Sequence, residues 1–158
     1  MPTINITTVI NAPVERCFNL ARSIDLHSAT TAQTHEKAIA GTTKGLIGKG
    51  ETVTWEATHF GIRQRLTSFI SELEYPVLFE DTMLKGAFKS IRHKHFFEER
   101  EGQTIMRDEF TFESPLGILG KLFNALVLTK YMKSFLIRRN EMIKAIAESE
   151  AWRKYLEE

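Results

Sequence analysis

From Thr3 to Asn11 apolar and polar residues alternate, with Ile4, Ile6 and Ile10 on one side and Asn5, Thr7 and Asn11 on the other. This is the period-two pattern of a half-buried strand. Asn11-Ala12-Pro13 then opens a short helix through Val14, Phe18 and Leu20-Ala21, because proline is tolerated in a helix's first turn and not deeper. Ser23–Thr31 continues as a second short helical or irregular piece, and Thr34–Ala40 reads as a strand. The glycines and lysines around Leu46-Ile47, between Thr42 and Gly50, predict a mobile loop. Glu51 to Glu113 is a meander of strands, after which Pro115 to about Glu148 takes the period of a long helix.

Two turns in the meander set a register. Phe60-Gly61 and Glu101-Gly102 are two-residue hairpin turns in which glycine supplies the positive φ. The first pairs His59 with Ile62, Ala57 with Gln64, Trp55 with Leu66 and Val53 with Ser68, and it sets Glu56 opposite Arg65 on the other face. The second pairs Phe97 with Met106, His95 with Asp108, His93 with Phe110 and Ile91 with Phe112, with Lys94 opposite Glu109. Apolar side chains meet on one face and opposite charges on the other, as a correct register requires. Tyr75-Pro76 and Lys85-Gly86 are the remaining turns, flanking Val77–Leu84.

The helical stretch has two parts that do not share a face. Tyr131, Met132, Phe135, Leu136, Met142, Ile143 and Ile146 form one stripe at helical spacing. Continued backwards at 100° per residue, that stripe meets Gly117, Lys121, Asn124, Ala125 and Leu128, while Leu119, Leu122, Phe123 and Leu126 point the other way. Either the helix breaks near Leu128–Lys130, or a partner protomer or membrane covers the leucine-rich stripe.

Composition narrows the function classes. A chain of 158 residues with net charge +1 is one domain without the electrostatic footprint of a nucleic-acid binder. Arg63, Arg65, Arg92, Lys94 and Arg107 on the outer face interleave with Glu56, Glu80, Glu109 and Glu113, a solvated, salt-bridged surface. The single Cys17 forms no internal disulfide and reads as a small buried hydrophobe. No signal-peptide pattern precedes the first strand, and the Leu116–Leu128 run, broken by Lys121, is short of a membrane span, so a cytoplasmic protein is expected. Phosphate loops, nucleophile elbows and Cys-x-x-Cys pairs are not found.

Strand, two small helices, meander and long helix make an α+β chain with its helices on one face of an antiparallel sheet. Ile10-Asn11-Ala12-Pro13-Val14-Glu15-Arg16-Cys17-Phe18 resembles the strand-to-helix opening of the START/birch-allergen-like (SRPBCC) superfamily, which includes polyketide cyclases and lipid-transfer domains. Trp55–Gly61, Pro76–Asp81, Gly86-Ala87-Phe88, His93–Phe97, Asp108 with Phe110, and Pro115-Leu116-Gly117 resemble a bacterial ligand-binding branch of it. The resemblance implies a helix-grip fold: a curved sheet of about seven strands round the long helix, with an elongated apolar cavity between them. It specifies fold better than activity.

Within that frame the meander's inward face is mostly apolar: Val53, Trp55, Leu66, Phe79, Met83, Ile91, Phe97, Met106, Phe110 and Phe112. The helix adds Asn124, Leu128, Met132, Phe135 and Arg139 as ligand contacts. His59, Gln64, Asp81, His93, His95 and Asp108 are the polar residues at inward positions, where a charge needs a partner. Their uses remain open. They form a satisfied network, with His95 paired to Asp108 and its pKa raised; or they orient a ligand's polar group; or they work chemically, His93-x-His95 beside Asp108 making a two-histidine, one-carboxylate set. Arg139, at the centre of the apolar stripe, is a snorkelling stem, an ion-pair partner of the small helices, or a clamp for an anionic head group. We expect binding or carriage of a hydrophobic or amphipathic small molecule (a lipid, polyketide or isoprenoid-like compound) without cofactor or metal. The rivals are a cyclase- or dehydratase-type enzyme using His95 and Asp108, and a protein-interaction adaptor. A homodimer or transient membrane contact would use Leu119, Leu122, Phe123 and Leu126.

Overall fold

The computed structural model describes residues 1–115 and 117–157. Seven antiparallel strands, β1 (Thr3–Ile10), β2 (Lys37–Gly41), β3 (Thr52–His59), β4 (Ile62–Glu74), β5 (Leu78–Lys85), β6 (Ser90–Arg100) and β7 (Gln103–Glu113), form one curved sheet in the order β1-β7-β6-β5-β4-β3-β2. Every pair proposed from the two hairpin turns is observed. Phe60 and Gly61, like Glu101 and Gly102, all have positive φ, the geometry of a tight turn whose twist matches that of its strands. The outer face is salt-bridged as expected, Arg65 to Glu56 at 3.1 Å, although Lys94 reaches Glu80 at 3.6 Å and not Glu109 across the ladder.

The small helices α1 (Val14–Ala21) and α2 (Ile24–Thr30) follow β1. Ser23 caps α2 by accepting a hydrogen bond from the Leu26 amide at 3.2 Å. α1 turns Cys17, Phe18 and Leu20 into the core, where Phe18 meets Tyr75, Phe79 and Phe97 edge-on with centroids 5.1–5.4 Å apart. Two sequence expectations shift here. Ala32–Thr34 is a 3-10 turn ended by a left-handed His35, so the strand read from Thr34 begins at Lys37. The Thr42–Gly50 stretch, expected to be mobile, is pinned: Ile47 is buried, Arg22 donates to its carbonyl at 3.1 Å, and the Gly45 amide donates to Asp25 at 2.9 Å.

The C-terminal helix runs as α3 (Gly117–Phe123), a π-helical turn (Asn124–Leu128) and α4 (Thr129–Ala147), followed by a 3-10 turn and a single-turn α5 (Arg153–Leu156). The π turn is where the two apolar faces change phase, since each residue there turns the chain through a smaller angle than in an α-helix. α4 buries Leu136, Ile143 and Ala147 against β1 and the small helices. α3 leaves Leu119, Leu122 and Phe123 exposed, and Leu126 in the π turn is exposed too. Among the described residues no helix is long and apolar enough to cross a membrane.

Candidate functional site

The sheet's concave face and the C-terminal helix enclose a cavity of about 660 Å³, within the range of small-molecule sites. Its walls are apolar: Trp55, Ile70, Phe79, Ile91 and Phe110 from the sheet, Leu128, Met132, Phe135 and Leu136 from the helix. Phe60, Ile62, Phe123 and Val127 both line it and are exposed, so they form a rim.

Polar side chains enter at separate points. His59 Nδ1 and the Tyr131 hydroxyl lie 2.7 Å apart, bridging β3 to α4. His27, its ring tilted against Trp55 with centroids 4.3 Å apart, lies 2.7 Å from a Glu36 carboxylate oxygen. The densest group sits where β5, β6 and β7 run side by side. Ladder pairing places Asp81 opposite His93 and Asp108 opposite His95, while His93 and His95, two apart on β6, share a face. Their hydrogen bonds cross this ladder. His93 Nε2 donates to Asp108 Oδ1 at 2.7 Å, and His95 Nε2 donates to Asp81 Oδ2 at 3.0 Å. The two imidazoles lie one over the other with centroids 3.8 Å apart. The second oxygen of Asp108 accepts from Asn140 Nδ2 at 2.6 Å, fastening the cluster to α4. His95 Nδ1 is 3.2 Å from Asp108 Oδ1 but out of line, and among the described residues it is the buried polar side-chain atom left without a hydrogen bond.

Burial and pairing oppose each other throughout this cluster. For Asp108, burial raises the pKa, but the His93 hydrogen bond and the close approach of His95 outweigh it and hold the carboxyl well below the usual carboxylate range. Burial likewise acts to raise Asp81, and the His95 hydrogen bond with the charges of His93, His95 and Arg139 brings it below its ordinary value. For His93 burial prevails, helped by the charge of His95, and its pKa is lowered in spite of Asp108. His95 is buried as deeply, yet its two carboxylate partners raise it. These opposing influences push both carboxyls toward their ionised forms, His95 toward the cation and His93, whose Nδ1 is on the side of Asp81, toward the neutral ring.

The residues expected at the site divide by depth. Trp55, His59, Phe79, Asp81, His93, His95, Phe110, Leu128, Met132, Phe135 and Arg139 all line the cavity. Phe97 and Met106 do not; they belong to the packed core around Phe18. Met83 packs with Leu66 at the side of a second apolar cluster. The Asn124 side chain lies outside the described residues. Asp108, expected as His95's partner at the ligand, is fully buried behind the histidines and hydrogen-bonds His93; of the two aspartates it is Asp81 that reaches the cavity, 28% accessible. Arg139 neither snorkels nor pairs with an acid of the small helices. It is buried, donating to the Ala21 carbonyl at the end of α1 at 3.2 Å and to Asn140 Oδ1 at 3.1 Å. Asn140 and Tyr131 are the positioning residues that sequence reasoning did not select. Asn140 lies four residues after Leu136 and three before Ile143, a polar amide on the buried stripe, and that spacing was its signal.

No family model matches this chain, and no curated protein sequence does. Solved structures match over nearly its whole length. A protein from Thermus thermophilus superposes with TM-score 0.71 at 19% identity, over 92% of this chain and 99% of that one. The major latex-like protein 151 of Panax ginseng gives 0.70 at 16%, over 94% and 98%. A START superfamily protein from Mycobacterium smegmatis gives 0.68 at 8%, over 92% and 97%. The fold of this chain is therefore the START-like helix-grip fold.

Proposed function

We propose that this protein binds or carries a hydrophobic or amphipathic small molecule, of the lipid, polyketide or isoprenoid-like kind, in the cavity between sheet and helix. The observation that carries the reading is the contrast inside one enclosure: apolar walls along the length and an Asp81/His93/His95 cluster at one place on the sheet wall. Removing apolar ligand surface from water supplies affinity at about 25 cal/mol per Å², and the polar cluster fixes which end goes in first. A carrier must also exchange its cargo. The rim formed by Phe60, Ile62, Phe123 and Val127 continues into the exposed residues Leu119, Leu122 and Leu126, an apolar surface that suits transfer to and from a membrane.

Native mass spectrometry of protein purified without added lipid should show a retained apolar molecule, and a fluorescent fatty acid should bind and be displaced by unlabelled apolar competitors. Ala57 lines the cavity, so Ala57→Phe fills part of it and should weaken the probe at least tenfold. An empty protein that ignores the probe, or a probe affinity unchanged by Ala57→Phe, would refute the assignment.

A further inference from the structure

We propose that Asp81, His93 and His95 form a binding site for one divalent transition-metal cation at the polar place in the cavity wall. Three atoms face one another there: Asp81 Oδ2, His93 Nδ1 and His95 Nε2. The carboxylate oxygen is 3.0 Å from the His95 nitrogen and 4.0 Å from that of His93, and the donor atoms of the three residues all lie within 4.8 Å of one another. Ligands of a metal at about 2.0–2.2 Å sit roughly 3 Å apart, so side-chain adjustments of about 1–2 Å close the set. Two imidazoles and a carboxylate are the donors that suit zinc, iron, cobalt or nickel, and three protein ligands leave coordination positions open toward the cavity.

The second observation lies behind the histidines. A metal-bound imidazole needs its other nitrogen to donate to a carboxylate or carbonyl, which fixes its tautomer and ring plane. Here one carboxylate bonds one ring and adjoins the other. Asp108 Oδ1 accepts from His93 Nε2 at 2.7 Å and lies 3.2 Å from His95 Nδ1, and its Oδ2 is held by Asn140 at 2.6 Å. The other ring nitrogen of His93, Nδ1, lies on the side of Asp81 at 4.0 Å, and no described residue donates to it. His95 Nε2 now donates a hydrogen bond to Asp81; a cation replaces the proton on that nitrogen, the proton leaves to solvent, and the ring's other nitrogen, Nδ1, is the one beside Asp108. All four residues stand on neighbouring strands of the sheet, a frame that holds a ligand set more firmly than loops do. Arg139, on the helix wall, directs two donors away, to Ala21 and Asn140.

The test uses the full chain, treated with a chelator, dialysed and titrated with Co²⁺. A visible d–d spectrum saturating near one equivalent is expected. Asp81→Asn and His93→Gln should each weaken it at least tenfold, and Asp108→Asn, which touches no cation, should keep it while weakening affinity by about 10–100-fold. Circular dichroism checks that each variant is folded; Asp81→Asn is isosteric and partly accessible, and carries the test alone should a histidine variant not fold. No saturable Co²⁺ spectrum in the wild-type protein, or one undiminished by Asp81→Asn, overturns the proposal. The readout involves no apolar ligand, so its failure is separate from a failure of the fatty-acid probe to bind.

Discussion

Thr129–Ala147 buries Leu136, Arg139, Asn140, Ile143 and Ala147, whereas Gly117–Phe123, before the π turn in the same helical run, buries Gly120 and leaves Ile118 86% and Leu119 74% exposed. Leucines are at least as frequent in the exposed half. What differs is phase: the π turn at Asn124–Leu128 lets α4 keep its stripe on the sheet while the stripe of α3 turns outward. One half is fastened by apolar packing and by the Asn140–Asp108 bond. The other is attached through the cavity rim, by contacts such as Phe123 against Phe60 at 6.2 Å. Apolar composition thus says little about which half of a helix stabilises a fold; the partner surface decides.

The comparison predicts a graded series. Asp108→Ala should be the most damaging, because it leaves His93 and Asn140 buried without their shared acceptor and His95 without the adjoining negative charge, and removing one partner of a buried ionic pair costs about 3–5 kcal/mol. Urea denaturation measures it. Ile143→Ala in the fastened half should cost about 2–5 kcal/mol; a loss below about 1 kcal/mol would show that α4 is not the anchor. An acid titration of stability sharpens the point. Asp108 and Asp81 are held below their ordinary pKa, so their contribution is present above the unfolded value of about 3.9 and disappears as pH falls through the folded values. Asp108→Asn should flatten that acid arm. Near neutrality His95 and His93 oppose each other: the raised His95 adds stability below its unfolded pKa and loses it as pH rises through the folded value. The lowered His93 adds stability above its unfolded pKa and loses it as pH falls, so the acid arm is the cleaner test.

The smallest stability effect belongs to the exposed half. Leu122→Ser with Leu126→Ser should change unfolding free energy by no more than about 0.5 kcal/mol per site, while reducing co-sedimentation with anionic lipid vesicles and slowing delivery of a fluorescent fatty acid to them. Unchanged transfer would remove the membrane role from this face; a large loss of stability would mean that α3 is packed after all.

How much of this was legible in the sequence depended on whether a pattern fixes direction or depth. Two glycine turns with Glu56 opposite Arg65 and Lys94 opposite Glu109 were enough for the register, because a one-residue slip would have turned every side chain over. The same alternation put Asp81 and Asp108 on one face without saying which lies under the helix. That depends on Asn140 arriving from α4, a contact between residues 32 apart in sequence. The phase conflict in the last helix was likewise visible. Its site was not, since phase records the total rotation and not the turn that supplies it; the break expected near Leu128–Lys130 ends at Leu128. Arg139 defied both structural expectations because its partners are a backbone carbonyl and a neighbouring amide, neither of which has a sequence signature.

The pairing of β1 with β7 has a consequence for the time course of synthesis. Thr3 and Thr111 hydrogen-bond across that ladder, 108 residues apart. At about 5–20 residues per second, a ribosome makes the first strand roughly 5–20 s before its neighbour exists. For that interval Ile4, Ile6 and Ile10 have no sheet to enter, and closing so long a loop is the slow step expected of such a topology. The alternating Asn5 and Thr7 keep one side of the waiting strand compatible with water. The strand that comes first in the chain is among the last to be enclosed, and the nascent protein is most exposed to misassociation until β7 leaves the exit tunnel.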